Sequence, residues 1–322
     1  MSRKTFSMLL AVLAVAFAAS LLIPAHSLLA LWQQDRVLGL AILFELRLPR
    51  ALLALTYGAM LGASGAAIQA LFANPLASPD LTGTTSGAAL GAVVTAYLLG
   101  FSAPLALSVG AVAGALGALA LLLALAGPRA ETATLLLAGL AISALAGALT
   151  TLALALAPSP FAFYDAYDWL MGSLVDRSLS QAAFAAAPAL LTITLLARLA
   201  RPLDSLTLGE EVAQSLGHDV VRLRTEIVCL TALGVGACVA ICGAIGFIGL
   251  VGPIFARRLT GAHPGRAIVP AALIGGLLLL LADLLVRTAP LGRTLPIGVV
   301  TALVGAPFFL WLVAYMRWRI AR

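Results

Sequence analysis

Charge is what this chain has least of. Of its 322 residues only 10% are Asp, Glu, Lys or Arg, where a soluble domain carries about 25%. Lysine is a single residue, Lys4, so a phosphate-binding loop of the G-x-x-x-x-G-K-[ST] type is excluded. The chain therefore does not hydrolyse ATP by that device. The three histidines, His26, His218 and His263, are isolated from one another. No serine or threonine has a base partner at usable spacing, so nucleophile–base catalysis has no candidate residues. The three cysteines, Cys229, Cys238 and Cys242, share one apolar run without a neighbouring His or acid. That pattern excludes a disulfide framework and a metal site, and leaves small packing residues.

What is present is long apolar sequence: 62% of residues are hydrophobic and the mean hydropathy is +1.09. Uncharged runs cover 5–34 (30 residues), 51–79 (29), 81–128 (48), 132–164 (33), 178–197 (20), 227–256 (30) and 294–316 (23). A helix needs about 20 apolar residues to cross a bilayer core. The 48-residue run holds two spans, divided near Pro104. Residues 267–282 add another before Asp283. The pattern predicts an all-α polytopic membrane protein with about eight to ten transmembrane helices, in a single transmembrane domain over 1–322. The net charge of +6 sits in arginines at the ends of these runs, which points to a lipid collar and not to nucleic acid. Arg3 and Lys4 before an apolar core allow a signal peptide, but the run's length favours a retained first helix over about Phe6–Leu31.

The connections are informative. Pro49 stands where a helix start tolerates proline. Asn74-Pro-Leu-Ala-Ser-Pro-Asp80 is an irregular polar turn, tolerated near membrane depth only where protein or a polar cavity covers it. Phe161–Ser180 reads as an interfacial loop with aromatic anchors. Residues 201–226 are the longest polar stretch and read as a docking element for a soluble partner. There Ser205 or Thr207 would cap a short helix with Glu210 and Glu211 in its first turn, and Gly217 would end it. The next span is expected from near Ile227. Gly243-Ala-Ile-Gly-Phe-Ile-Gly-Leu-Val-Gly-Pro253 predicts a broken or half-length helix.

Ten spans put both termini on one side. Thirteen Lys and Arg residues then share that side and six lie opposite. The positive-inside rule places the termini and 201–226 in the cytoplasm, and Arg47 and Arg50 outside. Those two arginines, three apart, form a basic rim for an acidic partner or anionic ligand, or simply anchor headgroups. Asp283 is the one acid well inside an apolar run. It is either an ion or proton site or a partner for Arg287 at i+4, and the pairing is the favoured expectation.

The motifs Leu46-Arg-Leu-Pro-Arg50, Gly65-Ala-Ala-Ile-Gln69, Asn74-Pro-Leu-Ala77, Ser86-Gly-Ala88, Leu137-Ala-Gly139, Trp169-Leu-Met-Gly-Ser173, Leu208-Gly-Glu210, Leu216-Gly217, Gly243-Ala-Ile-Gly-Phe-Ile-Gly-Leu250, Ala282-Asp283 and Leu295-Pro-Ile-Gly-Val-Val-Thr301 follow one another in the order of the FecCD family. The chain resembles these permeases of importers for iron–siderophores, haem and cobalamin from about residue 45 to 316. The resemblance implies the type II ABC importer permease architecture, in the bacterial inner membrane. It implies a homodimer or a heterodimer with a paralogous permease, two cytoplasmic ABC ATPase subunits and a periplasmic or lipid-anchored substrate-binding protein. No cofactor is implied in this chain, because ATP and Mg belong to the ATPase. By the same resemblance Arg47, Arg50 and Arg287 meet the binding protein. The coupling element maps to about Ser205–Val220, including Leu208, Gly209, Glu210, Glu211, Leu216 and Gly217. The cytoplasmic gate maps to Asn74, Leu76 and Thr132. The family often has Pro-His after the Gly-Leu-Val stretch, whereas Pro253 here is followed by Ile254. The alternative from another class is a self-sufficient proton-coupled carrier using Asp283.

Overall fold

The computed structural model describes residues 1–24, 32, 35–101, 103–127, 132–289 and 295–320. Among these every regular element is helical. Helix α1 is Arg3–Leu22, and residues 25–31 of the expected first span lie outside the described residues. Helix α2 (Arg36–Ala41) starts at Asp35, whose carboxylate accepts from the Val37 and Leu38 amides. It runs through a π-helical turn, Ile42–Arg47, into α3 (Leu48–Leu71), where Pro49 occupies the first turn.

Helix α3 is the centre of the molecule. Nineteen of its 24 residues are buried. The cause is its small residues, which let neighbouring backbones come close where lipid supplies no hydrophobic drive. A Cβ on Gly62 would stand 2.0 Å from the Ala271 carbonyl oxygen, and one on Gly65 would stand 1.8 Å from that of Gly249. Those partners lie on α13 (Ile268–Thr288) and α12 (Ile248–Leu259). Helix α8 (Leu179–Arg198), opened by the Ser178/Gln181 capping box, packs on another side of α3.

Helices α4 (Thr84–Tyr97) and α5 (Pro104–Ala126) form a close pair, with the expected division at Pro104. Helix α6 (Thr132–Ala155) packs against α4. The aromatic, acidic segment after it is not the expected loop. It is helix α7 (Pro160–Leu170), capped by Ser159, whose hydroxyl accepts from the Ala162 amide. Tyr97 of α4 donates its phenol to the Ala162 carbonyl and fixes α7 there.

After α8 come α9 (Ala200–Ser205), a 3₁₀ turn (Leu206–Leu208) and α10 (Glu210–Ser215). Helix α11 (Val220–Cys242) begins seven residues before the expected start near Ile227, with Asp219 as its cap. Its first two turns carry Arg222, Arg224 and Glu226, so a charge-free run could not mark them. The expected break is present: α11 ends at Cys242 and α12 starts at Ile248. The carbonyls freed there are satisfied from elsewhere in the chain. The Ser173 amide donates to the Cys242 carbonyl (2.8 Å), and the Tyr57 hydroxyl donates to that of Gly243 (3.1 Å). The same segment receives α14 (Ile297–Ile320), whose Ile297 amide donates to the Gly172 carbonyl at 3.0 Å.

Six described helices are long and apolar enough to cross a membrane: 3–22, 105–126, 133–155, 179–198, 220–242 and 265–288. Two buried clusters stack along their length. One joins Ala51, Leu174, Ile245, Val286 and Ile297. The other joins Phe72, Ala77, Leu203, Leu223 and Ala267. The Arg47/Arg50 end and the 200–215 connector therefore lie at opposite ends of the molecule.

Candidate functional site

At the first end the chain gathers Arg47, Arg50, Asp283 and Arg287. The π turn and the start of α3 carry Arg47 and Arg50, and the last turns of α13 carry the other two. Asp283 is fully buried. Its Oδ1 accepts from Arg50 Nε at 2.7 Å and its Oδ2 from Arg287 Nη2 at 2.5 Å. The expected i+4 pair is present, and a second arginine, 233 residues away in sequence, joins it. The side chains of Arg50 and Arg287 are only 16% and 9% exposed, so most of each is held inward.

The end of α1 completes the cluster. Arg287 donates to the Ser20 carbonyl (2.7 Å), and Arg47 donates to those of Leu21 (2.9 Å) and Pro24 (3.1 Å). These are carbonyls left open by the helix end. Burial presses the Arg47 pKa below its ordinary value, yet a guanidinium stays charged at any physiological pH. Three cations against one carboxylate leave this end basic.

At the other end two features meet. The Asn74 turn is closed by the Asn74 side chain, whose Oδ1 accepts from the Leu76 amide at 2.9 Å. Asn74 and Leu76 are half-buried. The 3₁₀ turn Pro79–Thr82 follows, and Ser143 of α6 donates to the Asp80 carbonyl at 3.1 Å. The turn is thus held to the middle of α6. The backbone of Thr132 opens α6, while its side chain lies outside the described residues.

The connector 200–215 differs from expectation at its cap. Ser205 and Thr207 donate their hydroxyls backwards, to the Pro202 and Asp204 carbonyls, and Gly209 opens α10 without a side-chain cap. Gly217 does follow the helix, with a φ of +87°. Glu210 and Glu211 stand in the first turn as expected, but they do not act alike. Glu210 turns to the membrane body and pairs with Arg224 Nη2 of α11 at 2.8 Å. Ala213 is buried beneath α10, while Leu208, Val212 and Leu216 are 63%, 42% and 59% exposed. Apolar residues four apart stand out of an otherwise polar connector. No group of three or more His, Cys, Asp or Glu able to hold a metal occurs among the described residues.

Known proteins are similar to this chain in sequence or in fold. The vitamin B12 import system permease protein BtuC of Salmonella paratyphi A is 43% identical over 280 residues, 85% of this chain and 84% of that protein. The Fe(3+)-citrate import system permease protein YfmE of Bacillus subtilis is 36% identical over 275 residues, 85% of this chain and 82% of that protein. A solved structure titled as an inward-facing conformation of a metal-chelate type ABC transporter superposes with a TM-score of 0.87 at 32% identity, covering 98% of this chain and all of that one. The fold alone is shared with PsaBC from Streptococcus pneumoniae, with a TM-score of 0.56 at 18% identity. Residues 6–315 match the FecCD transport family, and the chain is a member of that family of ABC-importer permeases.

Proposed function

We propose that this chain is the membrane half of an ATP-driven importer that carries an iron–siderophore, or a haem- or cobalamin-like chelate, across the inner membrane by alternating access. In this proposal α3, α4, α12 and α14 join the six long apolar helices to give ten crossings, with both termini in the cytoplasm. Two such subunits, identical or paralogous, enclose the path between them. The observation that carries the coupling half is the exposed apolar row Leu208, Val212 and Leu216 on a cytoplasmic connector. A contiguous apolar surface rimmed by charge marks a protein interface, and an ABC ATPase is the soluble partner an importer permease needs.

Outside, Arg47, Arg50 and Arg287 receive a binding protein through its carboxylates. Asp283 engages Arg50 through Nε, which leaves the Nη edge of that guanidinium for an incoming carboxylate. Inside, the turn at Asn74 and Leu76, with Thr132 at the head of α6, closes the path. Motion of the connectors on ATP binding and hydrolysis by the partners opens it. No covalent step occurs in this chain.

Co-purification of the tagged chain tests the proposal. An ATPase at one copy per permease, and uptake in proteoliposomes that requires ATP and binding protein, are expected. Uptake driven by a proton gradient without ATP would overturn it and return Asp283 to the centre. Reversing Arg47 to Glu, which leaves both Asp283 pairs in place, is expected to reduce uptake sharply while leaving the permease–ATPase complex assembled.

A further inference from the structure

The sequence presents Glu210 and Glu211 as one acidic pair, but the fold separates them. We propose that the Glu210–Arg224 ion pair is the strap that makes α10 move as one body with α11, and so positions the connector for coupling. The proposal rests on the assignment of 200–215 as the ATPase-facing element and deepens it.

Four observations carry the strap. Arg224 sits in the second turn of α11 with its side chain 9% exposed, while its partner Glu210 is 52% exposed. A buried guanidinium needs a partner, because breaking such a pair leaves an uncompensated charge. Glu210 reaches it from another element 14 residues back, across the Gly217 turn. The same helix supplies a contrast: Arg222 and Glu226 pair at i+4 with 77% and 37% of their side chains exposed. Exposed pairs of that kind fix little.

The other end of the connector is tied as well. Asp204 of α9 accepts from the Gly265 amide at 2.8 Å, at the turn between α12 and α13. A Cβ on Gly265 would stand 1.9 Å from the Ala200 carbonyl oxygen, so that turn and α9 are in direct backbone contact. One end of the connector is therefore docked on α13 and the other on α11. Leu208, between the two ties, and Val212 and Leu216, beyond Glu210 on α10, face outward. A partner that pushes on that row displaces α11 only if α10 cannot swing on the Gly209 and Gly217 turns, and the Glu210–Arg224 pair is a charged tie that prevents it. Glu210 is thus a positioning residue for coupling, and the docking face belongs to the apolar row.

The test uses the purified permease–ATPase complex in proteoliposomes with binding protein, following ATP hydrolysis and substrate uptake together. E210Q is expected to keep the ATPase bound and hydrolysing while uptake per ATP falls about tenfold, within the usual range of coupling between sites. E226Q, which breaks the exposed pair, is expected to behave as the native chain. E210Q/R224M is expected to lose no more than R224M alone, because R224M already removes the shared pair. Additive losses, or unchanged uptake per ATP in E210Q, would overturn the strap. Loss of the ATPase from E210Q would also overturn it, since Glu210 would then belong to the docking face. A native chain that brings no ATPase at all fails the underlying assignment instead, and shows this before any variant is compared.

Discussion

Asp283 is the residue on which two functional classes part. A lone acid in mid-membrane costs on the order of 2.5–3.5 kcal/mol on insertion scales, and such residues often relay protons. Here the carboxylate is enclosed by Arg50 and Arg287, each donating to a different oxygen. Both of its oxygens are thus engaged by fixed guanidiniums, which suits a structural partner and not a mobile relay. Removing it leaves two buried guanidiniums facing each other, and breaking a buried pair in this way costs about 3–5 kcal/mol. D283N is therefore expected to unfold at markedly lower temperature in detergent. D283N/R287M is expected to regain part of the loss, because one orphaned charge goes with it. Thermal unfolding of the two purified variants decides: a double variant less stable than the single would refute the triad's arithmetic. The i+4 half of this triad was legible from spacing alone. The Arg50 half was not, because nothing in a single sequence links positions 50 and 283.

The break between α11 and α12 was legible from its glycines, but its mechanics were not. Gly243 adopts φ +70° and ψ −173°, a region that only glycine enters freely. A Cβ there would also stand 2.0 Å from the Trp169 carbonyl oxygen. Gly246, three residues on, would meet nothing within 4 Å. G243A is expected to be strongly destabilising and to reduce the yield of folded protein, whereas G246A is expected to be near neutral. Equal yields by fluorescence-detected size exclusion would show that the break tolerates a side chain at its hinge. The segment that meets this hinge, Trp169–Ser173, is the least readable part of the chain. Its short helix α7 is 11 residues of mixed aromatic and acidic character, with no long apolar period to separate it from a loop. The start of α11 was hidden for the converse reason. Its first turns are charged because they stand beyond the apolar layer, so a search for uncharged runs begins the helix late.

At the scale of the whole molecule the two ends are chemically distinct, and that asymmetry predicts a direction. The arginine cluster with the end of α1 occupies one end, and the connector, the Asn74 turn and the Gly265 turn occupy the other. The excess of Lys and Arg at the connector end predicts, by the positive-inside rule, that this end faces the cytoplasm. An ATP-driven mechanism requires the same direction, because ATP is available only there. The prediction is read by cysteine labelling in a C229S background, since Cys238 and Cys242 are buried. Glu45, exposed in the π turn, and Gln214, exposed on α10, mark the two ends without belonging to either tie. In intact spheroplasts a membrane-impermeant maleimide is expected to modify E45C and to spare Q214C until the membrane is opened. The reverse pattern would put the apolar row of α10 outside, where no ATPase can reach it, and the coupling assignment and the Glu210–Arg224 strap would fall together.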